Sequence, residues 1–141
     1  MNDKIEYLKG SGAVFLAAGN SRALELANAA FQQMKASILP QMLMDFYLMH
    51  SGAILGDAIV FPAEETTRAN HSIPGIVQIN RDLSVFPSLR GKTVWGRNTL
   101  YIFSADVTGT MYMHDVLTLQ ILRKYADFSA ALSDCLLVGK V

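Results

Sequence analysis

Three histidines are the first residues of this chain to consider for chemistry: His50, His71 and His114. An imidazole can bind a transition metal or act as an acid or base near neutral pH. The spacings HxxxH and HExxH, which put two ligands on one helical face, do not occur. His114 precedes Asp115 on a predicted strand, so the two side chains point to opposite faces and do not pair. The sequence therefore predicts no metal site and no histidine dyad.

The single cysteine and the GxG motif also lack chemical support. Cys135 lies on a predicted apolar helical stripe beside Leu132 and Leu136, where cysteine packs as a small hydrophobe. Gly10-Ser11-Gly12 has Phe15 where a dinucleotide-binding motif needs its third glycine, and it precedes a strand instead of a helix. We therefore expect no catalytic residue, no metal and no cofactor.

Asp57 is a carboxylate inside the apolar run Ile54–Phe61. An aspartate beside Gly56 indicates a bulge, a strand edge or a satisfied hydrogen-bond network, and Arg97 is a suitable bidentate partner. A small hydrolase that uses Asp57 with His50 remains an alternative. It requires both groups in one cleft.

Apolar periodicity and capping residues predict the elements that position these side chains. Asn20 suits the N-cap of an amphipathic helix, Pro40 suits a first helical turn, and Asp127 suits the cap of the last helix. The predicted helices are 20–35, 40–50, 74–84 and 126–137. From residue 92 the apolar period changes to two, as in strands. The predicted strands are 53–61, 92–96, 100–105 and 110–115.

Strands that cluster along the chain predict an α+β fold, with a mainly antiparallel sheet of about four to six strands and helices packed against it. A further short strand is expected near 116–121. Residues 13–16 are either an edge strand or an irregular segment, and residues 63–68 are a loop or a helical turn. The residues expected to be nearly buried are Leu43, Phe46, Ile102 and Leu132.

Length and charge narrow the class of protein. A chain of 141 residues, 51% hydrophobic and 17% charged, predicts one globular domain spanning 1–141. Twelve basic residues balance twelve acidic ones, which gives no general field for nucleic acid or an anionic membrane. A lone cysteine, an amino terminus with charges of both signs and the lack of a long apolar run predict a cytoplasmic protein.

Two short stretches of the chain, preceded by a lead-in of Phe15, Gly19-Asn20 and the first predicted helix, carry a family resemblance. The first contains Leu39-Pro40, the aromatic pair Phe46-Tyr47, the step Ser51-Gly52 and a glycine-broken apolar strand. The second contains Gly96-Arg97-Asn98, Phe103, the turn 106–109 and Tyr112. Together they resemble the SUKH superfamily, especially its bacterial YrhA-like branch. Members often have Asn-Gly after the second helix, where this chain has Ser51-Gly52-Ala53, so a role for that asparagine does not transfer.

The resemblance implies a non-enzymatic domain that binds another protein. The superfamily contains the fungal Smi and Knr cell-wall synthesis regulators and many bacterial immunity proteins, which cap a toxin and block its active site. The first interpretation is therefore an immunity protein, and the alternative is a regulatory or scaffold protein of the Smi/Knr type.

The predicted partner face combines an adaptable methionine with charged residues. Its members are Met49, His50, Glu64 and Glu65, with Arg68 and Arg97 at the rim. Residues 40–67 contain four acidic residues and no Lys or Arg, whereas 68–97 contain five basic residues and one acidic residue. These two sets either pair with each other or form a dipolar surface. The competing interpretation is that Met49 and His50 only complete a packed helix. A homo-oligomer is left open.

Overall fold

The computed structural model describes residues 1–34, 36–68 and 70–138. The helices are α1 (Asn2–Gly10), α2 (Ser21–Gln33), α3 (Gln41–Met49), α4 (Ile76–Leu83) and α5 (Phe128–Leu137), with a short 3-10 turn at Pro87–Leu89. The strands are β1 (Val14–Phe15), β2 (Ala53–Leu55), β3 (Ala58–Val60), β4 (Thr66–Arg68), β5 (His71–Ile73), β6 (Thr93–Arg97), β7 (Tyr101–Ala105), β8 (Met111–Asp115) and β9 (Ile121–Tyr125). None of the helices in these ranges is long and apolar enough to cross a membrane.

Seven strands form one antiparallel sheet in the order β1-β2-β3-β6-β7-β8-β9, and β4 and β5 form a separate hairpin. This arrangement confirms the predicted α+β fold. The main sheet exceeds the expected four to six strands, partly because 53–61 is two strands joined by a turn. Gly56, with a φ of +61°, adopts the left-handed conformation at this turn. Asp57 consequently lies in an exposed turn and not inside a strand.

Other segments also differ from the prediction. Helix α1 was not predicted, and residues 13–16 contain an edge strand. Part of the segment 63–68 forms β4 instead of a loop or helical turn. The last strand begins at Ile121, later than the predicted 116–121, because Asp115 accepts hydrogen bonds from two backbone N–H groups just after β8 and holds a turn there.

A cross-strand row of residues forms the floor of the core, and we call it the inner row. It consists of Phe15, Ala53, Val60, Gly96, Phe103, Met113 and Arg123. Helix α5 packs on this row. Arg123 forms a 2.9 Å ion pair with Asp134 of α5, and a Cβ at Gly96 would lie only 2.9 Å from the sulfur of Cys135. Glycine at position 96 therefore lets α5 approach the sheet.

Helix α3 joins this core through Phe46. The Phe46 ring makes edge-to-face contacts with Phe15 of β1 and Phe128 of α5. The four residues expected in the core are each at most 7% exposed, which confirms that prediction: Leu43, Phe46, Ile102 and Leu132.

The Gly96-Arg97-Asn98 stretch connects the sheet to the end of α5. The Asn98 side chain is buried, and its Nδ2 donates hydrogen bonds to the carbonyls of Cys135 and Val138, at 3.1 and 2.9 Å. Its Oδ1 accepts two backbone N–H groups at the start of β7. Gly96 and Asn98 thus have structural roles, and Arg97 is the exposed member of the motif.

His114 on β8 is fully buried. Its Nδ1 lies 3.0 Å from the Leu119 carbonyl, and its Nε2 lies 2.7 Å from the Ser104 hydroxyl. A neutral ring satisfies both groups if Nδ1 donates to the carbonyl and Nε2 accepts from the hydroxyl. Burial lowers the pKa of His114 below its ordinary value of 6.5, and the positive charge of Lys92 acts in the same direction.

We expect the protein to lose stability as the pH falls below 6.5, because the unfolded chain then binds protons that the folded chain does not. Burial also lowers the pKa of His50, so both rings act in the same direction. Each contributes at most about 1.4 kcal/mol per pH unit. Urea unfolding at pH 7.5 and 5.5 measures the slope, which should decrease in His114→Gln and persist in the exposed control His71→Gln. An unchanged slope in His114→Gln would contradict a buried neutral ring.

Candidate protein-binding site

Met49 and His50 are adjacent in sequence but have different surroundings. Met49 is the last residue of α3 and is 63% exposed. The half-buried His50 ring lies 5.1 Å from the ring of Phe15 and 5.8 Å from the ring of Phe46. The interpretation that the residue only completes a packed helix therefore holds for His50. Met49 is accessible to a partner.

Glu64 and Glu65 lie at a groove between the β4–β5 hairpin and α4. The groove has a volume of about 360 Å³. Its lining includes Glu64, Glu65, Ser72, Gly75, Val77 and Arg81. The Ser72 hydroxyl donates to the Glu65 carboxylate, which positions that side chain. A Cβ at Gly75 would come within 3.0 Å of the Glu65 nitrogen, so glycine permits the hairpin to lie this close to α4.

Glu64 also lines a second depression, of about 100 Å³. Its other lining residues include Ala18, Gly19, Asn20, Ser51 and Ala63. Ser51 follows Met49 by only two residues, so the structure places the end of α3 and the acidic segment beside the same depression. Glu64 thus stands between two concave surfaces whose linings contain many small residues.

The two rim arginines lie in different places. Arg68 is exposed on β4, which begins directly after Glu64 and Glu65. Arg97 ends β6 opposite Ile59 and lines a depression of about 120 Å³ on another flank of α4. Arg97 therefore does not lie at the groove lined by Glu64 and Glu65, which we call the acidic groove after these two residues. Periodicity along the chain did not indicate this separation, because the separation depends on where α4 packs.

Ion pairs do not neutralise the acidic segment 40–67 or the basic segment 68–97. The ion pairs within the described ranges join Lys9 to Glu6, Arg22 to Glu25 and Arg123 to Asp134. The pair expected between Asp57 and Arg97 is absent. These segments therefore do not pair through ion pairs, and they do not form two separate surfaces either, because Arg81 of the basic segment lines the same groove as Glu64 and Glu65.

The residues considered for chemistry do not converge. His50 and Asp57 flank opposite ends of β2, and the imidazole of His50 packs against aromatic rings. Burial raises the pKa of the Cys135 thiol far above its usual range, so the reactive thiolate is disfavoured. In the part of the chain that the structure describes, no group of three His, Cys, Asp or Glu side chains could hold a metal ion.

Sequence reasoning missed that both faces of β2 and β3 carry apolar residues. Ile54 of β2 and Ile59 of β3 point away from the inner row and are only half-buried. The available signal was that both alternating positions of these strands are apolar, which is typical of strands covered on both faces.

No protein-family model matches this chain, and no curated protein matches it. The similarity to the SUKH superfamily therefore depends on the short motifs within 39–62 and 96–112. Gly96 and Asn98 in the second motif serve packing in this fold.

Proposed function

We propose that this protein is a non-enzymatic, SUKH-like domain that binds another protein, and that it acts in the cytoplasm as an immunity protein against a toxin. The observation that carries the proposal is that the exposed, unpaired Glu64 stands between two concave surfaces, one of which is also lined by Ser51, two residues after the 63% exposed Met49. Protein interfaces draw affinity from a few apolar anchors and orientation from surrounding charge. The family resemblance and the lone cysteine support the same interpretation.

The acidic groove favours a toxin with a basic surface. Enzymes that act on nucleic acid carry clustered Lys and Arg, and Glu64 with Glu65 would complement such a cluster. Arg81 lines the same groove, so this complementarity concerns the exposed Glu64 and Glu65 side chains and not the groove as a whole.

The test is purification of the tagged full-length protein from its native host and identification of the protein that accompanies it. Immunity requires that the partner be toxic when expressed alone and that coexpression restore growth. A non-toxic partner would instead support the regulatory alternative of the Smi/Knr type. Metal-dependent hydrolysis by the purified protein itself would overturn the non-enzymatic assignment.

We expect Met49→Asp to weaken binding of that partner by at least tenfold, about 1.4 kcal/mol, because a charge replaces an apolar anchor. The double change Glu64→Lys with Glu65→Lys should weaken it comparably by reversing the local charge. Isothermal titration calorimetry measures both effects.

Two matched variants control for exposure and net charge. Leu26→Asp alters a 54% exposed residue on α2, and Asp3→Lys with Asp57→Lys makes the same change in net charge at exposed positions outside the predicted face. Both controls should bind as the wild type does. Unchanged affinity in both test variants would remove this face from consideration.

A further inference from the structure

A depression of about 120 Å³ lies between α4 and β6, away from the acidic groove. Most of its lining is apolar and consists of Phe61, Ile79, Leu83, Val94 and Ile102. Three of these residues, Phe61, Val94 and Ile102, are each at most 7% exposed, so the core holds them in place as a floor. An apolar cavity of about 150 Å³ lined by Leu, Ile and Phe side chains can hold a molecule of benzene. The depression therefore has room for one branched aliphatic group.

Two charged residues complete the lining of this depression, Asp82 on α4 and Arg97 at the end of β6. Both are exposed, and neither belongs to an ion pair within the described ranges. The Asp82 carboxylate accepts a 2.8 Å hydrogen bond from the Gln78 side-chain amide, one turn earlier on α4, which restrains its position. The depression thus presents one negative and one positive group beside an apolar floor.

The charges and the floor together define the chemistry of a matching ligand. A carboxylate fits the planar guanidinium of Arg97 through two parallel hydrogen bonds, and an ammonium group pairs with the Asp82 carboxylate. A ligand with only one of these charges would leave the other residue unpaired, and an uncharged apolar molecule would leave both unpaired. A free α-amino acid with a branched aliphatic side chain carries all three groups on one small molecule.

We propose that this depression binds a free aliphatic α-amino acid of the leucine type. The ligand carboxylate lies against Arg97, its ammonium group lies against Asp82, and its side chain lies on the apolar floor. Contacts between exposed charges are individually weak, and a ligand of this size buries little surface. We therefore expect a Kd of about 0.1 to 1 mM.

This site goes beyond the proposed function and shares only Arg97 with the predicted partner face. The measurement below contains no other protein, so its result does not depend on the toxin experiment. Failure of the toxin experiment would leave the amino-acid site standing, and failure of the amino-acid site would leave the toxin experiment unaffected.

Proton–nitrogen correlation NMR of the full-length protein tests the proposal, because a chain of 15.5 kDa gives resolved amide signals and the method detects millimolar binding. We expect L-leucine to shift the amide signals of α4 and β6 saturably, with one Kd for both elements. The absence of saturable shifts up to about 20 mM leucine, well above the expected Kd, would overturn the proposal, as would saturable shifts confined to other elements.

Three analogues of leucine each lack one of the three groups. Leucinamide lacks the carboxylate, 4-methylpentanoate lacks the ammonium group, and glycine lacks the aliphatic side chain. Each should bind at least about tenfold more weakly than leucine, because each leaves one feature of the depression without its counterpart. An analogue with one charge that binds as tightly as leucine would refute the recognition of a zwitterion.

Arg97→Gln and Asp82→Asn remove the two charges one at a time and should each weaken leucine binding by at least about tenfold. Arg90→Gln and Asp57→Asn are the matched controls, because both residues are exposed and lie outside the lining of the depression. Their Kd should equal that of the wild type, and the spectra themselves verify that each variant is folded. Unchanged affinity in both test variants would refute the site. Amide shifts in α4 and β6 that a protein partner causes and leucine does not would assign the depression to a protein interface, against the proposal.

Discussion

Replacement of Asn80 by alanine should lower the free energy of unfolding by about 3 to 4 kcal/mol. Strand β3 pairs with β6 only at Arg97 and Gly96, so Val94 has no partner strand on that side. The Asn80 amide takes the place of one: its Nδ2 donates to the Val94 carbonyl and its Oδ1 accepts from the Val94 N–H, both at 2.8 Å. Nδ2 also donates to the Ile76 carbonyl.

Alanine at position 80 would leave the buried N–H and C=O of Val94 without a partner, and each unsatisfied group costs about 1 to 3 kcal/mol. Urea denaturation monitored by circular dichroism measures the loss. Gln78→Ala, on the exposed side of the same helix, is the matched control and should change stability by less than about 0.5 kcal/mol. A loss below about 1 kcal/mol for Asn80→Ala would show that the amide does not replace a strand.

Replacement of Phe46 by alanine should cost about 3 to 5 kcal/mol. The ring is 4% exposed and contacts the rings of Phe15, Tyr47 and Phe128, with centroid distances of 5.2 to 6.3 Å. It therefore joins α3 to both β1 and α5. Truncation removes these edge-to-face contacts and leaves a cavity that three separate elements would have to fill.

The same denaturation experiment measures this loss, and Leu48→Ala is its control. Leu48 lies on the same helix and is 40% exposed, so its truncation removes far less buried surface. A cost below about 1 kcal/mol for Phe46→Ala would contradict its place in the core. That result would instead strengthen a role for α3 in binding.

These two predictions concern residues that hold the helices on the sheet, whereas the proposed contacts lie elsewhere. Asn80 is a buried residue of α4, and Phe46 is a buried residue of α3. Met49, Glu64 and Arg97 are exposed. Variants at the exposed positions should therefore change binding while leaving the free energy of unfolding within about 0.5 kcal/mol of the wild type.

Local chemistry alone predicted the helix caps and a central turn. Asn20 accepts a hydrogen bond from the Ala23 N–H and caps α2, and Asp127 accepts one from the Ser129 N–H and caps α5. The turn that starts at Asp106 closes as expected through hydrogen bonds to its carboxylate. Each of these interactions joins residues two to four positions apart, so neighbouring residues encode it.

The split of 53–61 into two strands could not be predicted from periodicity. The run is apolar on both sides of Gly56, and an uninterrupted strand would have buried the same residues. The missed signal was local: Gly56-Asp57 is a two-residue loop with a left-handed glycine, and such a loop joins the strands of a hairpin, here β2 and β3. The role of Asn80, in contrast, depends on a residue 14 positions away, because tertiary packing brings its partner Val94 to it.

The sequence by itself determined the α+β class, the core residues Phe46 and Leu132, and the exposed charges of the acidic segment. Only the tertiary structure decided that His50 packs against Phe15 while Met49 is exposed, and that α4 separates Arg97 from the acidic groove. The physical reason is the distance along the chain between the residues that interact. Caps, turns and periodicity depend on interactions within a few residues, whereas the exposure of a strand face depends on which distant element packs against it, as α5 does at Gly96.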